Sequence, residues 1–324
     1  MKLATVRALA LLGATLLATT AHAQTRVTWK SAKAGSSYYQ MSVQMAEALK
    51  AGTDGEVAVT VEESQGSVQN VMEVRGRGAD YVFTTPPALV RLAKGGKAMF
   101  EGTKVGEGGD PKFAEIRALF PIPSLTMHFV MSDASGVTDF AGMKGKTILL
   151  GKGSFGAREG EKYLEMFGVD GVEIADVELS NAVSALKNGQ IDGFVTAGSY
   201  PAPNVIEAAA STGVNVLSLS DEQVAKTKRT RLTIPAGTYA GQTQDIVTTS
   251  LPVVAYTTTQ MDDDTAYRLT KTFWEQKAAM AESAPWWTGV DEGLMANIES
   301  EVHPGARRYY EEAGVALTPA QKGE

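Results

Sequence analysis

Lys146-Thr-Ile-Leu-Leu-Gly-Lys-Gly-Ser-Phe-Gly-Ala-Arg158 reads as a buried strand, a glycine turn and the start of a helix. Ile148 to Leu150 are apolar, Gly151, Gly153 and Gly156 allow backbone angles closed to other residues, and Ser154 is placed to cap the helix. That helix keeps Ala157, Leu164 and Phe167 at helical spacing and stops at Gly168. Its first N–H groups have no intrahelical acceptor and point out of the end of a sheet, a place that attracts anions. Gly151, Gly153 and Gly156 also match GxGxxG formally, with Asp170 and Glu173 as acidic candidates for a ribose. A phosphate loop at Gly145-Lys146-Thr147 fails, because its first glycine would fall on Phe140.

Outward from this stretch, the N-terminus carries Lys2 and Arg7, an apolar run from Ala8 to Ala18, and Ala21-His22-Ala23. That is the pattern of a secretory signal peptide over residues 1–23, cleaved near Ala23, and it predicts a mature periplasmic protein beginning near Gln24. The apolar run is shorter than the roughly 20 residues of a membrane span. The whole chain has a net charge of −7; without the leader, 28 basic against 37 acidic residues leave −9. Nucleic acid is excluded as a partner on that balance. Cysteine is absent, so disulfides, thiolate chemistry and cysteine metal sites are excluded too. His128 and His303 stand far apart, without a metal-binding spacing and without a GxSxG elbow, so neither a metal site nor catalytic residues are expected.

The order strand, glycine and serine, helix occurs a second time, from Val27 to Lys30 through Gly35-Ser36-Ser37 to a helix with Met41, Met45 and Leu49 on its buried stripe. Two later segments echo each other as well: Ser67 to Thr84 and Asn181 to Thr196 each run helix, glycine, aspartate, strand. The chain therefore reads as α/β, with two similar lobes and a cleft between them. Phe120 to Met131 is an extended run that crosses into the second lobe, and Ile234 to Gln242, leading into Ile246 to Tyr256, reads as the return. This places residues 24–122 and 243–324 in lobe 1 and residues 123–242 in lobe 2. Asp262 to Asp264 open a helix over about 265–281, and Trp286, Trp287, Tyr309 and Tyr310 suit a tail packed on the first lobe better than a sugar platform.

Gly35-Ser-Ser-Tyr-Tyr39, Gly66-Ser-Val-Gln-Asn70, Gly78-Ala-Asp80, Leu125-Thr-Met-His-Phe129, Gly151 to Arg158, Ala197-Gly-Ser-Tyr-Pro201 and Ile234-Pro-Ala-Gly-Thr-Tyr239 with Gly241-Gln242 occur in this order. Together they resemble the TAXI-type solute receptors of TRAP transporters, over almost the whole mature chain. Two places depart from that family: Ala34-Gly-Ser-Ser replaces a richer glycine-threonine run, and Thr84-Thr85-Pro86-Pro87 stands where glutamine or aspartate often follows the strand. The resemblance implies a type II periplasmic binding protein, a two-lobed Venus flytrap without cofactor or catalysis. It would capture a small organic anion, such as glutamate, glutamine or a 2-oxoglutarate-like dicarboxylate, and deliver it to TRAP permease membrane subunits. A monomer is expected.

The loops facing the cleft supply the candidate ligand contacts. Ser36, Ser37 and Tyr38 start one helix, Ser67 and Asn70 another, and Thr84 and Thr85 end a strand; each could hold a carboxylate or only shape its turn. Ser154, Phe155 and Gly156 offer hydroxyl and amide donors, and Arg158 is either a bidentate carboxylate partner or a surface charge paired with Glu161. Ser199 and Tyr200 are clamp candidates, and Tyr239 either covers the ligand or packs between the lobes. Two other readings stay open: an exported enzyme with a nucleotide cofactor at Gly151 to Gly156, and a receptor of the same fold that serves a sensor.

Overall fold

The computed structural model describes residues 24–152 and 154–324; the expected leader, residues 1–23, and Gly153 lie outside the described residues. The chain opens with β1 (Thr25–Lys30), α1 (Ser37–Gly52), β2 (Val57–Glu62), α2 (Ser67–Glu73), β3 (Tyr81–Thr85), α3 (Pro87–Lys94) and the short α4 (Pro111–Ala114). β1 lies between β2 and β3, parallel to both. α1 buries Met41, Met45 and Leu49, spaced to fall on one stripe of the helix. All five residues of β3 are buried, as suits a strand covered on both faces.

A 17-residue strand, β4 (Ile116–Ser132), then leads to β5 (Thr147–Leu149), α5 (Phe155–Met166), β6 (Glu173–Ala175), α6 (Ala182–Lys187) and β7 (Gly193–Gly198). α7 (Pro203–Ser211), β8 (Val214–Val216), α8 (Asp221–Thr227) and β9 (Thr230–Ile234) complete this half. β10 (Ile246–Thr258), α9 (Asp263–Ser283), α10 (Pro304–Glu312) and α11 (Pro319–Lys322) close the chain. The strand order is β2-β1-β3-β10-β4-β7-β5-β6, with β8 beside β4 and β9 beside β10. Parallel strands at each end are thus joined through an antiparallel centre, the α/β arrangement of a two-lobed binding protein.

β4 and β10 are the connection between the halves. Ile116 to Thr126 pair with Thr258 to Ser250, and past these points β4 pairs with β7 while β10 pairs with β9. The return crossing is therefore β10 itself. The segment Ile234 to Gln242, expected to cross, is instead the end of β9 and the turn before β10, because Ile234 and Ile246 are already paired in an antiparallel ladder.

The tail packs on the first half. α9 lies against α1 and α10, and the Phe120 and Phe273 rings stack with centroids 4.0 Å apart. The Trp287 and Trp286 indoles both donate to Gln44 Oε1 on α1, at 2.7 and 3.1 Å, so the tryptophans serve packing. Among the described residues no helix is long and apolar enough to cross a membrane.

Candidate functional site

A cavity of about 570 Å³, its open mouth included, lies where the two halves face each other. From the first half it is lined by Ser31 and Lys33 after β1, Ser36 and Tyr38 at the start of α1, Gly66 and Ser67 at the start of α2, and Thr84 near the end of β3. The second half contributes Ser154, Phe155 and Gly156 at the start of α5, then Leu179 and Ala197; Leu125 of β4 and Val253 of β10 form the base.

Three helix N-termini therefore meet at one cavity, and the local sequence explains each. Ser36 caps α1 by accepting from the Tyr39 amide, and Ser154 caps α5 by accepting from the Ala157 amide at 2.9 Å. The Phe155 and Gly156 amides, in the first turn of α5, have no intrahelical acceptor. Gly66 has φ +110°, and a Cβ there would stand 3.6 Å from the Phe155 nitrogen, so the starts of α2 and α5 approach each other across the cleft. At Gly156 a Cβ would come within 3.1 Å of the Ala197 Cβ and 3.2 Å of its nitrogen; glycine lets α5 press against β7.

Ser36, Tyr38, Ser67, Thr84, Ser154, Phe155 and Gly156 of the expected contacts line the cavity together. The Tyr38 hydroxyl is committed elsewhere, donating to the Pro123 carbonyl at 2.7 Å, and burial holds its pKa well above the ordinary tyrosine value. It presents a ring to the cavity, with its phenol tied to β4.

The remaining candidates have other places. Ser37 Oγ accepts from the Ser199 amide at 2.9 Å, and Ser199 Oγ donates to the Ser124 carbonyl at 3.0 Å, so this pair ties α1 to the end of β7 beside the crossing strands. Thr85 follows Thr84 in β3 and points to the opposite face, where its hydroxyl is buried away from the cavity. Asn70 is fully buried behind the wall and donates to the carbonyls of Ser31 and Thr84, at 2.8 and 3.0 Å. Tyr200 borders a separate hollow shared with Pro285 and Trp286.

Arg158 is not among the cavity-lining residues. It stands one turn along α5, partly buried, and burial lowers its pKa against the opposing pull of Glu159 and Glu161. Tyr239 neither covers the cleft nor bridges the lobes. Its hydroxyl lies 2.8 Å from His128 Nε2 and accepts from the Ala202 amide at 3.0 Å, inside the core of the second half. Asp170 and Glu173, the acidic candidates for a ribose, are exposed and outside the cavity.

Lys33 is the site residue that sequence reasoning missed. It is only 6% exposed, it is the one charged side chain lining the cavity among the described residues, and its ammonium is paired with Glu178 of the second half. Burial lowers its pKa and Glu63 acts in the opposite direction. Its sequence signal is modest: a lysine two residues before the glycine that leads into a capped helix.

The model of the NMT1-like family matches residues 30–314. A solved protein from Bordetella bronchiseptica RB50 is 16% identical, with 91% of this chain and 84% of that chain covered and a TM-score of 0.50. The periplasmic binding protein BugD is 10% identical over 91% of this chain and 99% of that chain, with a TM-score of 0.54. A TRAP periplasmic solute-binding protein from Desulfovibrio salexigens DSM2638, in complex with diglycerolphosphate, is 13% identical over 92% and 93%; its TM-score of 0.41 is too low to carry an argument. The first two likenesses concern fold alone, and with the family match over most of the length they lead to one statement. The chain belongs to the NMT1-like family and has the two-lobed fold of periplasmic solute-binding proteins.

Proposed function

We propose that this protein is an extracytoplasmic solute receptor of the TAXI type, working as a monomer in the periplasm, that binds a small organic anion and hands it to TRAP permease subunits. One lobe runs from residue 24 into β4 and from β10 to residue 324, and the other is the chain between; they close over the ligand by a hinge motion in β4 and β10. The observation that carries the reading is the convergence of three helix N-termini and one buried ammonium on a single hydroxyl-lined cavity. Partial positive charge at helix starts and fixed N–H donors suit a carboxylate. Among the described residues the side chains there include donors and a cation but no nucleophile beside a base, so capture without turnover fits best. A second carboxylate held by Arg158 loses its support, since that side chain is outside the cavity lining.

Native mass spectrometry of gently purified protein should reveal a bound organic anion, and calorimetry with that compound should give micromolar or tighter affinity. Lys33→Met should weaken it by about ten- to a hundred-fold, because Glu178 and Glu63 are then left without their ammonium partner and repel the bound anion. Unchanged affinity in a folded Lys33→Met protein would remove the ammonium from the site.

A further inference from the structure

The surroundings of Lys33 bear on which anions the cleft accepts. Lys33 comes from the loop after β1 and Glu178 from the loop after β6, so their ion pair spans the cleft from one lobe to the other. Glu178 keeps about half its side chain in solvent, whereas Lys33 keeps 7%. Leu179, the next residue, lines the cavity, which sets Glu178 at its edge. A second carboxylate is fixed nearby: Glu63 Oε1 accepts from the Ala34 amide at 2.9 Å, and its charge acts on Lys33. Among the described residues, the Lys33 ammonium thus faces two carboxylates, Glu178 and Glu63.

We propose that Glu178 is a specificity-determining residue: by occupying Lys33 across the cleft, it leaves the site able to neutralise one carboxylate and selects compact monoanions against dianions. This rests on the receptor reading. The helix starts of α1 and α5, each worth about half a positive charge, can hold one carboxylate without disturbing the pair. Among the described residues, Lys33 is the one full positive charge in the cavity lining to which a second carboxylate could turn. Drawing the ammonium away strands Glu178 beside Glu63 and the incoming anion, three like charges with one cation among them. Rejection by a fixed like charge is a common route to specificity.

The test compares two probes of nearly the same shape, succinate and its monoamide succinamate, by calorimetry at neutral pH on the full mature protein freed of carried ligand. Wild type should bind succinamate about ten-fold more tightly than succinate, given the usual cost of placing like charges together. In Glu178→Gln the freed ammonium should accept the second carboxylate, and the preference should reverse. The variant removes one charge from a half-exposed side chain, and its thermal midpoint serves as the folding control. An equal ratio in wild type and Glu178→Gln, or a wild-type preference for succinate, overturns the proposal and leaves the receptor reading standing. Failure of both probes to bind either protein at millimolar concentration also overturns the proposal, while the receptor reading is decided separately by the anion that native mass spectrometry finds.

Discussion

Asn70→Asp should destabilise the protein by about 3 to 5 kcal/mol at neutral pH, on the scale of an unpaired buried charge. The substitution is nearly isosteric, so packing is kept and the loss is electrical. Asn70 Nδ2 donates to the carbonyls of Ser31 and Thr84, and its own backbone carbonyl accepts from the Tyr81 hydroxyl at 2.8 Å. A carboxylate would turn an acceptor toward those two carbonyl oxygens, and among the described residues no donor reaches the other side-chain oxygen, Oδ1. The acid can escape only by protonating, so its pKa in the folded state rises above the unfolded value of about 3.9. Stability is then fullest below pH 4 and is lost as pH rises toward neutral. Asn70→Ala, which removes the donors without adding charge, should cost about 1 to 3 kcal/mol with little pH dependence of its own. Urea unfolding of both variants and wild type at pH 7 and pH 5 separates the two effects. Equal losses in the two variants at both pH values would mean the amide is not the tie between the ends of β1 and β3. Since Ser31 and Thr84 both line the cavity, anion affinity should fall along with stability.

Much of this architecture can be read from local chemistry. Ser36 and Ser154 stand where a cap is needed, and both cap; Met41, Met45 and Leu49 predict the face of α1 that is buried. The apolar run around Phe120 to Met131 is legible as a crossing because it is too long and too apolar for a strand confined to one lobe. Neighbouring residues are where the reading loses its grip. Thr84 faces the cavity and Thr85 faces away, and composition gives no phase for that alternation; Ser36 and Ser37 divide in the same manner. Arg158 has the charge and a place near the helix start, yet it stands a full turn beyond Ser154, about 6 Å further along the axis, and does not line the cavity. Lys33 fails to stand out for the opposite reason. A lysine in a loop ordinarily sits in water, and only the opposing wall, 145 positions away in sequence at Glu178, shuts it in. The Ile234 to Gln242 turn misleads because proline and glycine mark a break in the chain without saying where the chain goes next.

Acidification should expose a weakness centred on His128, as a loss of about 3 kcal/mol between pH 6.5 and pH 4. The ring is fully buried, and burial pushes its pKa down to about 4, with the Thr126 carbonyl pulling the other way. Hydrogen bonding agrees with the neutral form. The Thr126 carbonyl can only accept, which puts the ring proton on Nδ1, 3.2 Å away. Nε2 must then accept from the Tyr239 hydroxyl, whose oxygen already accepts from the Ala202 amide. A second proton on the ring would face the tyrosine's own, so protonation breaks the chain of bonds as well as burying a charge. The folded pKa lies below the unfolded value near 6.5, so this contribution is complete above pH 6.5 and drains away as pH falls toward 4. His303, also lowered chiefly by burial, adds a slope of the same sign. Comparison with a variant therefore isolates His128. His128→Gln keeps a donor and an acceptor but cannot titrate. It should be less stable than wild type at pH 7 and should lose less than wild type on going to pH 4.5, so that the two unfolding midpoints converge. Parallel loss in both proteins over that range would show that His128 carries no part of the acid sensitivity and that its ring accepts a proton in the folded core.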